Sequence, residues 1–136
     1  METITIQTTV QLPAEKAWQI WTQPQHIIHW NFASDDWQCP TAESDLRPGG
    51  KFTSKMEAKD GSMGFDFGGT FNEVRPYEFI SYTMDDNRKV SVSFTKTDNG
   101  TKITETFEAE SVHSMEEQQA GWQTIMDNYK KYAESV

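Results

Sequence analysis

The 136-residue chain has a single cysteine, Cys39, so no internal disulfide can form. No apolar run approaches the roughly 18 residues of a membrane-spanning helix. The first ten residues, Met1 to Val10, alternate polar and apolar and lack the apolar core of a secretory signal, so a reducing cytoplasm is the expected location. Basic residues are scarce: 12 Lys and Arg against 21 Asp and Glu leave a net charge of −9. That balance argues against nucleic-acid binding through a basic face and against docking on anionic membranes. The acid excess reads as a solubility device, the alternative being a basic protein partner. There is no internal repeat, low-complexity stretch or linker. What is present is a globular composition, with 35% apolar, 12% aromatic and 24% charged residues, which excludes a disordered chain. A single domain over residues 1–136 is expected, large enough to hold a core without disulfide or metal.

Periodicity assigns the elements. Ile4, Ile6, Thr8, Val10 and Leu12 share one parity and predict a strand with one buried face. Pro13 fits the first position of a helix, with Glu15 in its first turn and Ala17, Trp18 and Trp21 as its stripe. A second short helix is predicted over 25–30, then a loop rich in Asp, Ser, Pro and Thr over 31–44. After the turn Arg47-Pro48-Gly49-Gly50 the period becomes two. Five strands follow, carrying Phe52 to Ala58, Met63 to Phe71, Phe79 to Met84, Val90 to Phe94 and Ile103 to Ala109. Asp60-Gly61, Asp85-Asp86-Asn87 and Asp98-Asn99-Gly100 mark turns between them, so the sheet is antiparallel. Ser114 and Glu117 form a capping box, and Met115, Gln119, Trp122, Met126, Tyr129 and Ala133 then recur at helical spacing. The expected architecture is α+β: a curved six-stranded antiparallel sheet around one long C-terminal helix, with two short helices after the first strand.

Several spaced segments sharpen this. Leu12-Pro13-Ala14-Glu15-Lys16-Ala17-Trp18 opens the first helix, and Trp21-Thr22-Gln23-Pro24 precedes Trp30 at the helix junction. Asp45-Leu46-Arg47-Pro48-Gly49-Gly50-Lys51-Phe52 leads into a strand, and Gly69-Thr70-Phe71-Asn72-Glu73-Val74-Arg75-Pro76 ends one. Gly121-Trp122 and Asp127-Asn128-Tyr129 lie in the last helix. In this order the segments resemble the START-like (SRPBCC) superfamily with its helix-grip fold, and within it the family named for the activator of heat shock protein 90 ATPase. The resemblance covers nearly the whole chain. It implies the fold but no single function, because the superfamily holds ligand carriers, cyclases, hydrolases and chaperone-binding domains. The family's eukaryotic co-chaperones carry a further N-terminal domain, which has no counterpart in this sequence.

A concave sheet gripping a helix implies a cavity. A dry void of about 300 Å³ would cost on the order of 7 kcal/mol, comparable to a small domain's whole stability, so such a space must collapse, hold water or be occupied. The candidate ligand-binding residues are Trp30, Trp37, Phe65, Phe67, Tyr82, Met84, Glu105, Phe107, Trp122 and Met126; each apolar one has the alternative of plain core packing. Glu105 shares parity with Ile103 and Phe107. It reads either as a polar anchor or acid/base at the base of a pocket, or as displaced by a bulge or placed at the open end of the sheet. Arg88, Gln118 and Gln119 are further polar candidates. His26 and His29, with Asp36 and Cys39 after them, match no zinc spacing, and neither metal nor cofactor is expected. There is no nucleophile elbow. Gly49-Gly50 reads as a turn and Gly68-Gly69 as sheet curvature, neither as a phosphate loop.

The leading functional expectation is non-catalytic binding of a small, largely apolar or amphipathic molecule between sheet and helix, as a carrier or sensor, by a monomer or homodimer. The alternatives are a co-chaperone-like domain acting on a chaperone ATPase, and a small cyclase- or hydrolase-type enzyme using Glu105.

Overall fold

The computed structural model describes residues 2–136. In chain order it holds β1 (Thr3–Val10), α1 (Ala14–Thr22), α2 (Pro24–Ile27), β2 (Trp37–Ser44), β3 (Lys51–Ala58), β4 (Gly64–Arg75), β5 (Phe79–Met84), β6 (Lys89–Thr97), β7 (Gly100–Glu108) and α3 (Met115–Ala133). The strands form one antiparallel sheet in the order β1-β7-β6-β5-β4-β3-β2. Five hairpins therefore run in sequence from β2 to β7, and the N-terminal strand closes onto the last. A curled antiparallel sheet around a C-terminal helix is the expected helix-grip arrangement.

The strand count corrects the sequence expectation: among the described residues there are seven, not six, and the extra one is β2, in the segment read as loop. Its alternation is broken by Pro40, which cannot donate to a ladder. The strand tolerates Pro40 because it is the sheet edge, and a register shift between Gln38 and Thr41 absorbs it. A second shift, between Phe71 and Glu73 in β4, changes the parity of that strand's end. Gly69 allows the sheet to bend there: a Cβ would lie 2.4 Å from the Thr83 carbonyl oxygen of the neighbouring strand.

The capping box at α3 is formed. The Glu117 amide donates to Ser114 Oγ at 3.1 Å, and the Ser114 amide donates to Glu117 Oε1 at 3.4 Å. The buried glutamine of this helix is Gln118 rather than Gln119, which is exposed. Gln118 is not a site residue. Its Oε1 accepts from the Glu110 amide at 2.8 Å and its Nε2 donates to the His113 carbonyl at 2.9 Å, tying down the loop before the helix.

The core lies to one side of the sheet's concave face. α3 runs along β1 and touches α1, while α1 sits on β6 and β7. Val10, Ile20, Val90, Val92, Ile103, Phe107 and Tyr129 are fully buried there or nearly so. Two polar tips buried here are paired: Tyr129 Oη donates to the Ala17 carbonyl at 2.7 Å, and Trp30 Nε1 to the Ile20 carbonyl at 3.1 Å. α2 is a single turn that reaches β2, and among the described residues no helix is seated as closely on β3, β4 or β5. A helix is about 10 Å wide and strands stand about 4.8 Å apart, so one helix covers about two strands. Seven strands outrun the helices available. Among the described residues no helix is long and apolar enough to cross a membrane.

Candidate functional site

The uncovered part of the concave face is a cavity of about 300 Å³. Its sheet wall is aromatic. Phe52 packs against Phe71 and edge-on against Tyr82, with ring centroids 5.0 and 4.8 Å apart, and Phe67 stands beside Tyr82 at 6.5 Å. Ser54, Met56, Ile80 and Met84 complete that wall. Opposite stand Trp122, Ile125 and Met126 of α3. Trp21, Ile27, Trp30 and Leu46 close one side, and the exposed Glu43 and Phe65 mark the mouth.

Trp122 is the hinge point of this geometry. It stacks flat on Phe107 at 3.9 Å and meets Phe67 edge-on at 6.1 Å across the cavity. It also borders a cleft on its other side, lined by Arg88, His113 and Glu117.

Of the sequence candidates, Trp30, Phe65, Phe67, Tyr82, Met84, Glu105, Trp122 and Met126 line the cavity. Two do not. Phe107 is fully buried beneath the Trp122 indole, which screens it from the space. Trp37 sits on the edge strand and packs on Phe65 at 5.9 Å, outside the lining. Parity assigned Phe107 to the concave side but does not say which inward residue another side chain covers, and Trp37 falls in the segment expected to be a loop, where no period placed it. Phe52, Ser54 and Met56 were missed as lining residues, although their shared face was legible. Leu46, in a loop, carried no periodic signal at all.

Glu105 faces inward in an unbroken register. Across the sheet it stands opposite Ile6 and Val92, and along its strand it lies between Ile103 and Phe107, all of them buried. The bulge and the open-end placement are thus both overturned. Only 5% of the residue is exposed, and its carboxyl lines the cavity. Burial pushes its pKa up to about 8, so it is mostly protonated at neutral pH. The Tyr82 hydroxyl is held well above its ordinary range, first by burial and then by the Glu105 charge, with Arg88 opposing. Arg88 also lines the cavity; its Nε donates to Asp86 Oδ2 at 2.8 Å and its Nη1 to the Glu108 carbonyl at 3.3 Å.

The histidines do other work. His26 Nδ1 and Tyr132 Oη share a hydrogen bond of 2.8 Å, and His29 stacks on the Tyr132 ring at 5.2 Å, fastening α2 to the end of α3. Cys39 is buried, and desolvation raises its thiol pKa, which leaves it a poor nucleophile. Among the described residues no cluster of three or more His, Cys, Asp or Glu is arranged to hold a metal ion. Chemically, the site is an apolar space with a carboxyl, a phenol and a guanidinium directed into it.

Residues 11–134 match the family described as activator of Hsp90 ATPase homolog 1-like protein. The AHSA1-like protein of Aeromonas hydrophila is 45% identical, with a TM-score of 0.94 over 98% of this chain and 93% of that one. A protein from Cytophaga hutchinsonii is 46% identical, with a TM-score of 0.85 over 98% of this chain and 92% of that one. A protein from Nitrosomonas europaea shares the fold at 19% identity, with a TM-score of 0.83 over 98% of this chain and 94% of that one. No curated protein matches the chain significantly.

Proposed function

The chain belongs to the activator of Hsp90 ATPase homolog 1-like family, and from that premise we propose that it is a cytoplasmic, non-catalytic carrier or sensor whose cavity binds a small, largely apolar molecule. The observation that carries this reading is the uncollapsed cavity of about 300 Å³, walled by Phe52, Phe67, Phe71, Tyr82 and Trp122. Water entering it meets mostly carbon, and displacing such water with apolar surface is favourable at roughly 25 cal/mol per Å². Met56, Met84 and Met126 in the lining allow the walls to fit ligands of more than one shape.

Native mass spectrometry of freshly purified protein tests the reading. The expected result is an extra mass that is lost on denaturation. A bare protein mass, together with no chemical-shift change when a neutral naphthalene probe is titrated in, would overturn it.

The family's name supports a second reading, a co-chaperone-like domain that stimulates an Hsp90-type ATPase. That activity needs an outer surface rather than the cavity. A matched chaperone whose ATPase rate is unchanged by this protein removes it.

A further inference from the structure

Glu105 does nothing for the fold that a leucine would not do better. Burial alone accounts for its altered protonation, with no hydrogen bond from a described residue to its carboxyl. Its neighbours on the concave face, Ile6, Val92, Ile103 and Phe107, are apolar and buried. A carboxyl taken out of water without a partner is costly. No side-chain polar atom among the described residues is both shut off from solvent and unpaired, so the carboxyl opens on the cavity, and whatever fills the cavity, water or ligand, must satisfy it. The Tyr82 hydroxyl shares this condition: it too is buried, lines the cavity and has no protein partner among the described residues.

Resting on the cavity reading above, we infer that the ligand is an uncharged, otherwise apolar molecule bearing a carbonyl oxygen, which accepts hydrogen bonds from the Glu105 carboxylic acid and the Tyr82 hydroxyl at the cavity floor. Both groups hold their protons at neutral pH, so both present donors into the same apolar space. A hydrocarbon would leave the two donors unpaired, which sites built to hydrogen-bond a ligand penalise heavily. A cationic ligand would share the cavity with the Arg88 guanidinium. An anionic ligand would accept from the same two donors but would give up its hydration in a cavity walled mostly by carbon, where the Arg88 guanidinium is already engaged by Asp86 and the Glu108 carbonyl. Arg88, so engaged, borders the site without competing for a neutral carbonyl.

The test is a titration of the wild-type protein, followed by amide chemical shifts, with four matched probes. These are 2-acetonaphthalene, its carbonyl-free isostere 2-isopropenylnaphthalene, 2-(1-aminoethyl)naphthalene and 2-naphthoate. The ketone is expected to bind about tenfold or more tightly than the isostere, one to two hydrogen bonds' worth, with both charged probes weaker. In Glu105→Leu the gap should shrink to about twofold, and Tyr82→Phe should close it in part. Raising the pH through about 8 should weaken the ketone and not the isostere, as the Glu105 acid loses its proton. The titratable or charged groups facing Glu105 are Tyr82 from β5 and Arg88 from the β5–β6 turn; α3 presents Trp122, Ile125 and Met126, and β1 presents Ile6.

Equal affinity for ketone and isostere would overturn the inference and leave the cavity reading standing. Tighter binding of the amine or the carboxylate would overturn it in the same way. If none of the four probes binds, the cavity reading fails and the inference fails with it. The wild-type comparison decides the matter even where a variant does not fold.

Discussion

At the β1–β7–β6 side of the sheet, Trp18 and Trp21 of α1 and Tyr129 of α3 interlock with Phe94 of β6, with ring centroids between 4.8 and 6.1 Å apart. At the β3–β4–β5 side, Phe52, Phe67, Phe71 and Tyr82 make a comparable cluster, but what faces them is a cavity of about 300 Å³. The residue types on the two sides are alike. What differs is the backbone above them. One side has helix cover that brings side chains into contact, and the other has only one helix's flank, reached across a gap by Trp122. The difference teaches that aromatic content does not distinguish a core from a binding site; helix cover does.

The comparison is most strongly tested by removing a ring from each side. Phe107→Ala removes a fully buried side chain beneath Trp122, and should cost about 3–5 kcal/mol in urea unfolding. Phe67→Ala, whose half-buried ring touches Phe52, Tyr82 and Trp122 but has one side on the cavity, should cost less, about 1–2 kcal/mol. Equal losses at the two positions would break the distinction between a full side and a hollow one.

Glu105 sharpens the contrast through pH. Unfolded, its carboxyl titrates near 4.5, and folded near 8. Between those values the folded state holds one more proton, so stability is greatest below about 4.5 and falls as pH rises toward 8, by up to about 4–5 kcal/mol. Glu105→Gln should abolish that slope and stabilise the protein at pH 7 by about 1–3 kcal/mol. Parallel stability-versus-pH curves for the two proteins would show that the carboxyl is not desolvated.

A smaller effect is expected at the shared wall. Trp122→Ala should weaken binding of 2-acetonaphthalene about tenfold, by removing the ring that spans from Phe107 to Phe67. Unchanged affinity in a folded variant would move the binding site elsewhere. Smallest of all, Ser114→Ala should cost about 1 kcal/mol by opening the capping box at the α3 end nearest Trp122. A thermal melt would record this as a small drop, and no drop would mean that tertiary contacts alone hold that end.

Much of the fold was legible because it is written in local periods. The parity of Ile4, Ile6 and Val10, the turn at Asp60-Gly61 and the Ser114–Glu117 box each report on a few adjacent residues. β2 was not legible, since Pro40 and the shift after Gln38 break its period, and its strand character comes from pairing with β3. Nor was the exchange of Gln119 for Gln118, a rotation of one helical position set by the loop that Gln118 ties down. In the site, parity placed Phe107 correctly on a strand but could not tell that an indole covers it, and Trp37, expected in a loop, lies on the edge strand.

The sequence by itself determined the antiparallel strands other than β2, the two short helices, the capped long helix, and the shared parity of Ile103, Glu105 and Phe107. Those follow from side-chain alternation and backbone preferences, which act over a few residues. Only the tertiary structure decided that α3 would lie along β1 rather than across β3–β5, and so which half of the sheet stays open. That choice depends on how helices of fixed width are shared out over a wider curved sheet, and no local pattern records it. It is the same choice that leaves the Glu105 carboxyl and the Tyr82 hydroxyl facing a space instead of a partner.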